Sequence, residues 1–226
     1  MKFVIDGNIG AGKTSQLVLL EKLGITVKRE PIHEWPLNLF YKDMSRWALT
    51  LQLAIMQTHQ PTQEDWSIPV VYERSLLASR YVFWEHMKQN DLIKATEDVV
   101  HERAYKTYAW SPDVYIYLLS DPTEVFKRVR GRSQAGDHGV TLDYLKSIHI
   151  LYENLLVHVP CRTHVVDTRG KTEEMIHADI LHILSQYSSR RDGVYVCHAR
   201  RTEVQTTRPD GWSMLCTPFA DVCRLS

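Results

Sequence analysis

The sequence lacks an excess of charge of either sign, a long apolar run and closely paired cysteines. Lysine plus arginine number 27 among 226 residues, as do aspartate plus glutamate. This balance provides no basic surface that would attract nucleic acid or an anionic membrane. No apolar run approaches the roughly 20 residues that span a bilayer, and the first residues already form a predicted strand, which leaves no room for a signal or transit peptide. We therefore expect a cytoplasmic protein that binds neither nucleic acid nor membranes.

Cysteines are few and widely spaced. The four cysteines, at positions 161, 197, 216 and 223, form neither a C-x-x-C pair nor a zinc-binding spacing, so we expect reduced thiols. A chain of this length is expected to form one domain that buries roughly 70% of its unfolded surface. Residues 1–189 contain the regular patterns of that domain. Residues 190–226 have no clear period, and we expect a loosely ordered C-terminal extension, with a further strand at 194–196 as the alternative.

The first part of the chain contains the most informative motif. Residues 1–6 are a short apolar run typical of a β-strand, and residues 16–23 have the pattern of a helix that Gly24 ends. Between them the sequence follows the G-x-x-x-x-G-K-[ST] pattern of a P-loop, with Gly7, Asn8, Ile9, Gly10, Ala11, Gly12, Lys13 and Thr14. Backbone N–H groups of such a loop surround phosphates, the lysine reaches the β- and γ-phosphates, and the hydroxyl binds Mg²⁺. The motif predicts a nucleoside triphosphate site.

Four more apolar runs of β type follow, at residues 25–30, 70–72, 114–119 and 164–167. Helical patterns separate them, including one over residues 36–46, one over 76–89 and one that Asp91 is expected to cap. This alternation predicts an α/β protein with the P-loop kinase fold, a five-stranded parallel sheet with helices on both faces. Ligands of such sheets bind beyond the carboxyl ends of the strands. The P-loop, Glu30 and Glu73-Arg74 each follow a strand and should surround one crevice.

Charged residues at these positions suit phosphoryl transfer, which requires Mg²⁺, cations on the transferred group and a residue that orients the acceptor. Glu30 is the candidate general base. Glu73 could hold Mg²⁺ through water, and Arg74 could pair with Glu30 or bind the transferred phosphate. Three arginines before a glycine-rich stretch at 131–139 predict an arginine-rich lid that closes over the triphosphate: Arg128, Arg130 and Arg132.

Several further motifs follow in order along the chain. They are Glu30-Pro31-x-x-x-Trp35, Tyr41-Lys42-Asp43, Trp47-Ala48 with Gln52, Gln57-x-His59, Glu73-Arg74-Ser75 with Arg80-Tyr81-x-Phe83, and Leu142-x-Tyr144-Leu145 after the lid. With this series the chain resembles the deoxynucleoside kinases of the deoxycytidine kinase, mitochondrial thymidine kinase and insect multisubstrate type. The resemblance covers about residues 1–188. A compact chain of this kind would also suit a viral salvage kinase of the thymidine kinase type.

The resemblance implies a role for each matched residue. Glu30 would take the proton from the deoxynucleoside 5′-hydroxyl, Arg74 would hold Glu30 and stabilise the transferred charge, and Glu73 would lie near Mg²⁺. Further catalytic cations would be Lys13, Arg128 and Arg132. The other matched residues would bind the substrate: Gln52 at the base edge, Trp35 and Phe83 beside the base, and Tyr41 and Asp137 at the 3′-hydroxyl. The resemblance also implies ATP as phosphate donor, Mg²⁺ as cofactor and a homodimer.

The chain departs from the family pattern in ways that bear on the substrate. Asp137 stands where the family usually has glutamate, Gln134 where the lid often has a further arginine, and residues 47–59 are about one helical turn shorter than in many relatives. Ser79 occupies a position that is aspartate in enzymes favouring deoxycytidine and purines, and alanine in thymidine-type enzymes. A small neutral residue leaves room for a base with a 5-methyl group. We therefore expect thymidine and deoxycytidine to be preferred over purines.

Two alternative functions share the P-loop. A nucleoside monophosphate kinase of the thymidylate type would need extra cations for the acceptor phosphate, whereas Glu30-x-x-x-x-Trp35 with Gln52 suits an uncharged hydroxyl. A non-catalytic nucleotide-binding subunit would be expected to lose Lys13, Glu30 or Arg74, and all three are present. A GTPase is disfavoured because the sequence has no N-K-x-D motif. The preferred base and the role of residues 190–226 stay open at this point.

Overall fold

The protein is built on a five-stranded sheet in which every strand runs parallel to its neighbours. A computed structural model describes residues 1–62, 68–132 and 139–188, together with two short strands at 194–195 and 223–224. The strand order is β2-β3-β1-β4-β5, which puts β1 at the centre. The five strands are β1 (Lys2–Gly7), β2 (Thr26–Lys28), β3 (Val70–Glu73), β4 (Val114–Leu119) and β5 (Arg162–Asp167). The predicted α/β class and five-stranded parallel sheet are confirmed.

Helices cover both faces of the sheet, as the continuous apolar character of β1 and β4 requires. They are α1 (Lys13–Lys22), α2 (Leu37–Lys42), α3 (Met44–Thr58), α4 (76–89), α5 (Ala95–Tyr108), α6 (Pro122–Arg132), α7 (Leu142–Leu156) and α8 (Glu173–Ser188). On one face, Ile5 and Ile116 pack with residues of α1 and α8. On the other face, Val4 and Tyr115 pack with residues of α4 and α7.

Two predicted helix boundaries were wrong. The helical pattern over 36–46 is divided at Asp43, whose Oδ1 accepts a hydrogen bond from the Arg46 N–H at 3.0 Å and thereby caps α3. Asp91 does not cap a helix: it has a φ of +55° in the turn after α4, and α5 begins four residues later. There the Lys94 N–H donates to the Glu97 carboxylate at 2.8 Å. In both places a local side-chain hydrogen bond outweighs the apolar periodicity.

The helix α4 contains an irregularity that its sequence does not predict. Its first turn at Leu76–Ala78 and its last at Glu85–Gln89 are α-helical, but Ser79–Trp84 between them adopts the wider π-helical turn. A π-helical segment inside an α-helix is frequent at functional sites because it changes the direction of the following side chains. Ser79 and Phe83, two of the predicted substrate-binding residues, lie in this segment.

The C-terminal extension is described only in part. Val194–Tyr195 pairs in antiparallel fashion with Cys223–Arg224, so the further strand considered from sequence is present at 194–195. The predictions that concern Gln134 and Asp137 lie outside the described residues. The longest helix in the described ranges has 16 residues, and none of the described helices has the length and hydropathy needed to cross a membrane.

Candidate active site

The P-loop joins β1 to α1 at the carboxyl edge of the sheet, as its motif predicts. The Lys13 Nζ atom donates hydrogen bonds to the carbonyl oxygens of Gly7 at 3.1 Å and Asn8 at 2.8 Å. The Asn8 side chain in turn donates to the Leu145 carbonyl on α7 at 2.8 Å, which ties the loop to a neighbouring helix. Burial, with the positive charge of Arg74 acting in the same direction, lowers the pKa of Lys13 to about 7. A phosphate group here would restore the charge of Lys13.

Gly10, at one of the variable positions of the motif, allows close approach between the P-loop and α6. Gly10 has a φ of +79°, a conformation that side-chain-bearing residues rarely adopt. A Cβ atom at this position would lie 2.7 Å from the Val129 Cγ2 atom and 3.2 Å from the Val125 Cγ1 atom. Both valines are fully buried on α6. Glycine at position 10 therefore lets the phosphate loop pack directly on the helix that carries the lid arginines.

A cavity of about 340 Å³ opens over the P-loop. It is lined by residues 10–16, Arg128, Lys171, Glu173 and Ile176. Lys13, Arg128 and Lys171 line it with side-chain nitrogen atoms that can bind a polyphosphate. Lys171 also forms an ion pair with Asp179 at 2.7 Å. The structure thus brings one predicted lid arginine, Arg128, to the phosphate loop. Lys171 and Glu173 were missed from sequence, although they follow β5 and the strand-end rule could have included them.

An oxygen pair lies beside the P-loop lysine. The Thr14 hydroxyl donates to the Glu73 Oε1 atom at 2.6 Å, so the first helical turn after the P-loop meets the end of β3. A hydroxyl and a carboxylate are the hard oxygen ligands that Mg²⁺ prefers, and Mg²⁺ sites usually add phosphate oxygens and water to one or two such protein groups. The residue types and their proximity fit the predicted magnesium site.

Arg74 and Glu30 form a buried ion pair at the same edge. The Arg74 Nε atom lies 3.4 Å from the Glu30 Oε1 atom, and the two side chains are 9% and 14% exposed. Burial raises the pKa of Glu30, while the positive charge of Arg74 opposes that rise. Arg74 has a φ of +62°. Its N–H donates to the Ile5 carbonyl at 3.0 Å and its carbonyl lies 3.1 Å from the His59 Nε2 atom, so both backbone polar groups are bonded in this strained conformation.

A fully buried carboxylate adjoins this ion pair and was missed from sequence. The Asp6 Oδ1 atom accepts hydrogen bonds from the Gly7 N–H at 2.8 Å and the Tyr152 hydroxyl at 2.7 Å, and Oδ2 accepts from the Tyr115 hydroxyl at 2.8 Å. The Arg74 Nη1 atom lies 3.9 Å from Oδ1. The sequence feature that could have identified Asp6 is its position at the end of an otherwise apolar strand, directly before the P-loop.

Two of the predicted base-binding residues contact each other. Gln52 on α3 and Ser79 on α4 are both buried, and the Ser79 hydroxyl donates a hydrogen bond to the Gln52 Oε1 atom. In this arrangement the Gln52 amide oxygen faces Ser79. Phe83, one π-helical turn later, lies under the Arg74 guanidinium with 5.1 Å between the Cζ atom and the ring centroid.

The remaining predicted site residues are less closely connected to this cluster. The Trp35 Nε1–H donates to the Thr58 hydroxyl at 2.8 Å, so the indole packs against the end of α3. Tyr41 on α2 is 39% exposed, and its ring packs edge-on against Phe40. Arg132 is the last residue of α6, and Asp137 lies outside the described residues. Their contacts with substrate stay predictions.

Comparison with known proteins agrees with this geometry. The family model for deoxynucleoside kinases matches residues 3–186, which is most of the chain. The chain belongs to the deoxynucleoside kinase family. Similar proteins include human mitochondrial thymidine kinase 2, which is 30% identical over 167 residues covering 68% of this chain and 63% of that protein. The thymidine kinase of Ictalurid herpesvirus 1 is 31% identical over 166 residues, which cover 67% of this chain and 72% of that protein.

Solved structures of deoxynucleoside kinases share the fold. Deoxyadenosine kinase from M. mycoides with bound dCTP superposes with a TM-score of 0.72 at 21% identity, covering 82% of this chain and all of that one. At this identity the likeness supports the fold alone. The matched region spans less than two thirds of the length of mitochondrial thymidine kinase 2.

Proposed function

We propose that the protein transfers the γ-phosphate of ATP to the 5′-hydroxyl of a deoxynucleoside. The observation that supports this most directly is the buried Glu30–Arg74 pair beside a complete P-loop. A neutral hydroxyl is a poor nucleophile, and a carboxylate in a partly desolvated site can remove its proton as transfer begins. The names of the relatives, thymidine kinase and deoxycytidine kinase, agree with a deoxynucleoside as acceptor.

The residues around the crevice would have different roles in an in-line transfer of the phosphoryl group. The P-loop would bind the triphosphate, with Lys13, Arg128 and Lys171 neutralising its charge. Glu30 would take the proton from the acceptor hydroxyl, because burial raises its pKa above that of a free glutamate and makes it a stronger base. Arg74 would keep Glu30 in position and stabilise the negative charge on the transferred group.

Mg²⁺ would be held by Thr14 and Glu73. When bound, this cation would neutralise charge on the β- and γ-phosphates and favour their alignment with the acceptor. The Thr14 hydroxyl and the Glu73 carboxylate already face each other at 2.6 Å. This contact between α1 and the end of β3 supports Thr14 and Glu73 as the protein groups that would hold Mg²⁺.

The Gln52–Ser79 contact supports a pyrimidine substrate. The Gln52 amide can bind a base edge through one donor and one acceptor, and its oxygen here accepts a hydrogen bond from the Ser79 hydroxyl. A serine hydroxyl can also rotate and accept a hydrogen bond. The Gln52 amide can therefore bind in either of its two orientations. Both are needed, because thymine and cytosine present donors and acceptors in opposite order along the base edge. We infer that thymidine and deoxycytidine are preferred over purine deoxynucleosides.

We also infer that the chain forms a homodimer through α5. Val99 and Val100 on this helix are 61% and 47% exposed. They adjoin a shallow groove with charged residues of both signs, a surface that can complement a second copy of itself about a two-fold axis. The groove is lined by Asp98, Val99, Glu102, Arg103 and Lys106. Analytical ultracentrifugation would test this: we expect the protein to sediment as a dimer and a Val99→Lys variant to sediment as a monomer.

A cytoplasmic location stays a prediction of the sequence.

A phosphoryl-transfer assay tests the proposed function. The purified chain would be supplied with Mg·ATP and, in separate reactions, with each of four deoxynucleosides and thymidine monophosphate. We expect turnover of thymidine and deoxycytidine above that of the purine deoxynucleosides. Turnover of thymidine monophosphate alone would instead identify a nucleoside monophosphate kinase. ATP binding without turnover of any acceptor would favour a non-catalytic subunit.

A further inference from the structure

Arg74 lies between two carboxylates that compete for its guanidinium. Its Nε atom is 3.4 Å from the Glu30 Oε1 atom, and its Nη1 atom is 3.9 Å from the Asp6 Oδ1 atom. Asp6 is fully buried and Glu30 is nearly so. A buried carboxylate is costly unless it is paired or hydrogen-bonded. With two such groups in reach, the guanidinium should move toward whichever of them is less well satisfied.

Two tyrosine hydroxyls satisfy Asp6 in the place of Arg74. Tyr115 reaches Asp6 diagonally across the β1–β4 pair, because its register partner on β1 is Val4. Tyr152 comes from α7 on the same face of the sheet. Its hydroxyl donates to Asp6 and also accepts a hydrogen bond from the Arg74 Nη1 atom at 3.5 Å. The hydroxyl therefore lies between the Asp6 carboxylate and the Arg74 guanidinium. Together with the Gly7 N–H, the hydroxyls give Asp6 three hydrogen bonds.

We propose that Tyr115 and Tyr152 are positioning residues that saturate Asp6 and so leave the Arg74 guanidinium to Glu30 and to the transferred phosphate. The proposal rests on the proposed function, because it assigns these hydroxyls to the reaction of that same site. Neither tyrosine touches a reacting atom in this scheme. Their effect passes through Arg74. The backbone N–H and carbonyl of Arg74 are both hydrogen-bonded, so a shift between the two carboxylates would involve its side chain.

The same strand offers a matched control. Tyr117 is buried, lies on the same face of β4, and is the register partner of Asp6. Its hydroxyl has no hydrogen-bond partner among the described residues. Tyr117→Phe therefore removes the same atom from the same element without removing a hydrogen bond to Asp6. A comparison with Tyr115→Phe separates the loss of that bond from the loss of a buried hydroxyl.

Steady-state kinetics of a variant series test the proposal, with thermal unfolding measured in parallel. We expect the double variant Tyr115→Phe/Tyr152→Phe to lower kcat by about tenfold or more, because misplacing a catalytic group by about 1 Å can cost up to 10²-fold. The deoxynucleoside KM should stay within about twofold, since the base-binding residues are untouched. Tyr117→Phe should leave both constants unchanged.

Recovery of kcat by a further substitution at Asp6 distinguishes the positioning role of the tyrosines from a merely structural one. Adding Asp6→Asn to the double variant removes the competing charge while its side-chain oxygen can still accept the Gly7 N–H. We expect most of the lost kcat to return. This triple variant buries no uncompensated carboxylate, so it keeps the test available if the double variant fails to fold.

The outcomes separate the two proposals. An active wild-type chain whose double variant keeps its kcat, or whose triple variant is slower than the double, would overturn the role of the tyrosines and leave the proposed function standing. A wild-type chain that phosphorylates no deoxynucleoside would overturn the proposed function and this inference with it.

Discussion

Glu30 and Arg74 are joined by an ion pair across the carboxyl ends of β2 and β3, with 3.4 Å between Oε1 and Nε. The two residues follow strands that are adjacent in the sheet, although 44 positions separate Glu30 from Arg74 in the chain. The pair is buried, so removing either partner leaves an uncompensated charge.

Replacing Glu30 with glutamine should remove the general base and preserve the shape of the side chain. We expect kcat for a deoxynucleoside to fall by about 10²–10⁴-fold, the usual contribution of such a group. Steady-state kinetics with Mg·ATP in excess would measure it. Glu34→Gln is the matched control, since this half-exposed glutamate lies four residues further along the same segment. Equal activity of the two variants would remove Glu30 from the mechanism.

Binding of the triphosphate should be accompanied by proton uptake at Lys13. Burial lowers the pKa of this lysine to about 7 in the free protein, so above that pH most molecules hold it neutral. Phosphate anions would raise its pKa again, and the amino group would gain a proton on binding. Affinity for ATP should therefore fall as the pH rises above about 7. Calorimetry at pH 8 in two buffers of different ionisation enthalpy should give different binding enthalpies; equal enthalpies would contradict the prediction.

The contact between Thr14 and Glu73 predicts a specific defect in magnesium use. We expect Glu73→Gln to raise the Mg²⁺ concentration that gives half-maximal activity by about tenfold, the lower end of the effect of losing a group that supports a metal. Thr14→Ser retains the hydroxyl and should change this concentration little. A magnesium titration at constant ATP measures both variants. A lower maximal rate in Glu73→Gln with an unchanged magnesium requirement would argue against a role in metal binding.

Loss of the Ser79 hydroxyl should weaken recognition of the pyrimidine base. In Ser79→Ala the Gln52 amide loses the hydrogen bond that orients it. One such bond is worth about 0.5–1.5 kcal/mol, so kcat/KM for thymidine and deoxycytidine should fall by about two- to tenfold. Ser147→Ala, on α7, makes the same change elsewhere and should leave kcat/KM unaltered. A Ser79→Ala variant with unchanged kcat/KM for thymidine and deoxycytidine would show that the hydroxyl does not act on the base.

The sequence predicted those parts of the site that depend on local pattern. The P-loop and the residues that follow β2 and β3 were found because a parallel sheet gathers its strand ends at one edge. Glu30, Glu73 and Arg74 accordingly lie together. The family resemblance added Gln52 and Ser79, which contact each other although 27 positions separate them.

The parts that were missed depend on tertiary contacts. Tyr115 looks like one more apolar residue of a buried strand, and only the diagonal reach across two strands shows that its hydroxyl serves Asp6. The left-handed backbone of Arg74 cannot be predicted either, because arginine has no preference for it and the bonds with Ile5 and His59 impose it. The π-helical turn of α4 likewise has no local signal in the sequence.

The shortness of β2 has a consequence for thermal behaviour. This strand has three residues, lies at the edge of the sheet and, among the described strands, pairs only with β3. Edge segments with few backbone hydrogen bonds open locally at a smaller free-energy cost than central strands. Glu30 is two residues beyond its end. Warming should therefore disengage the base from its arginine while β1 and β4 stay protected from hydrogen exchange, so that activity is lost reversibly at temperatures below that of the cooperative melt.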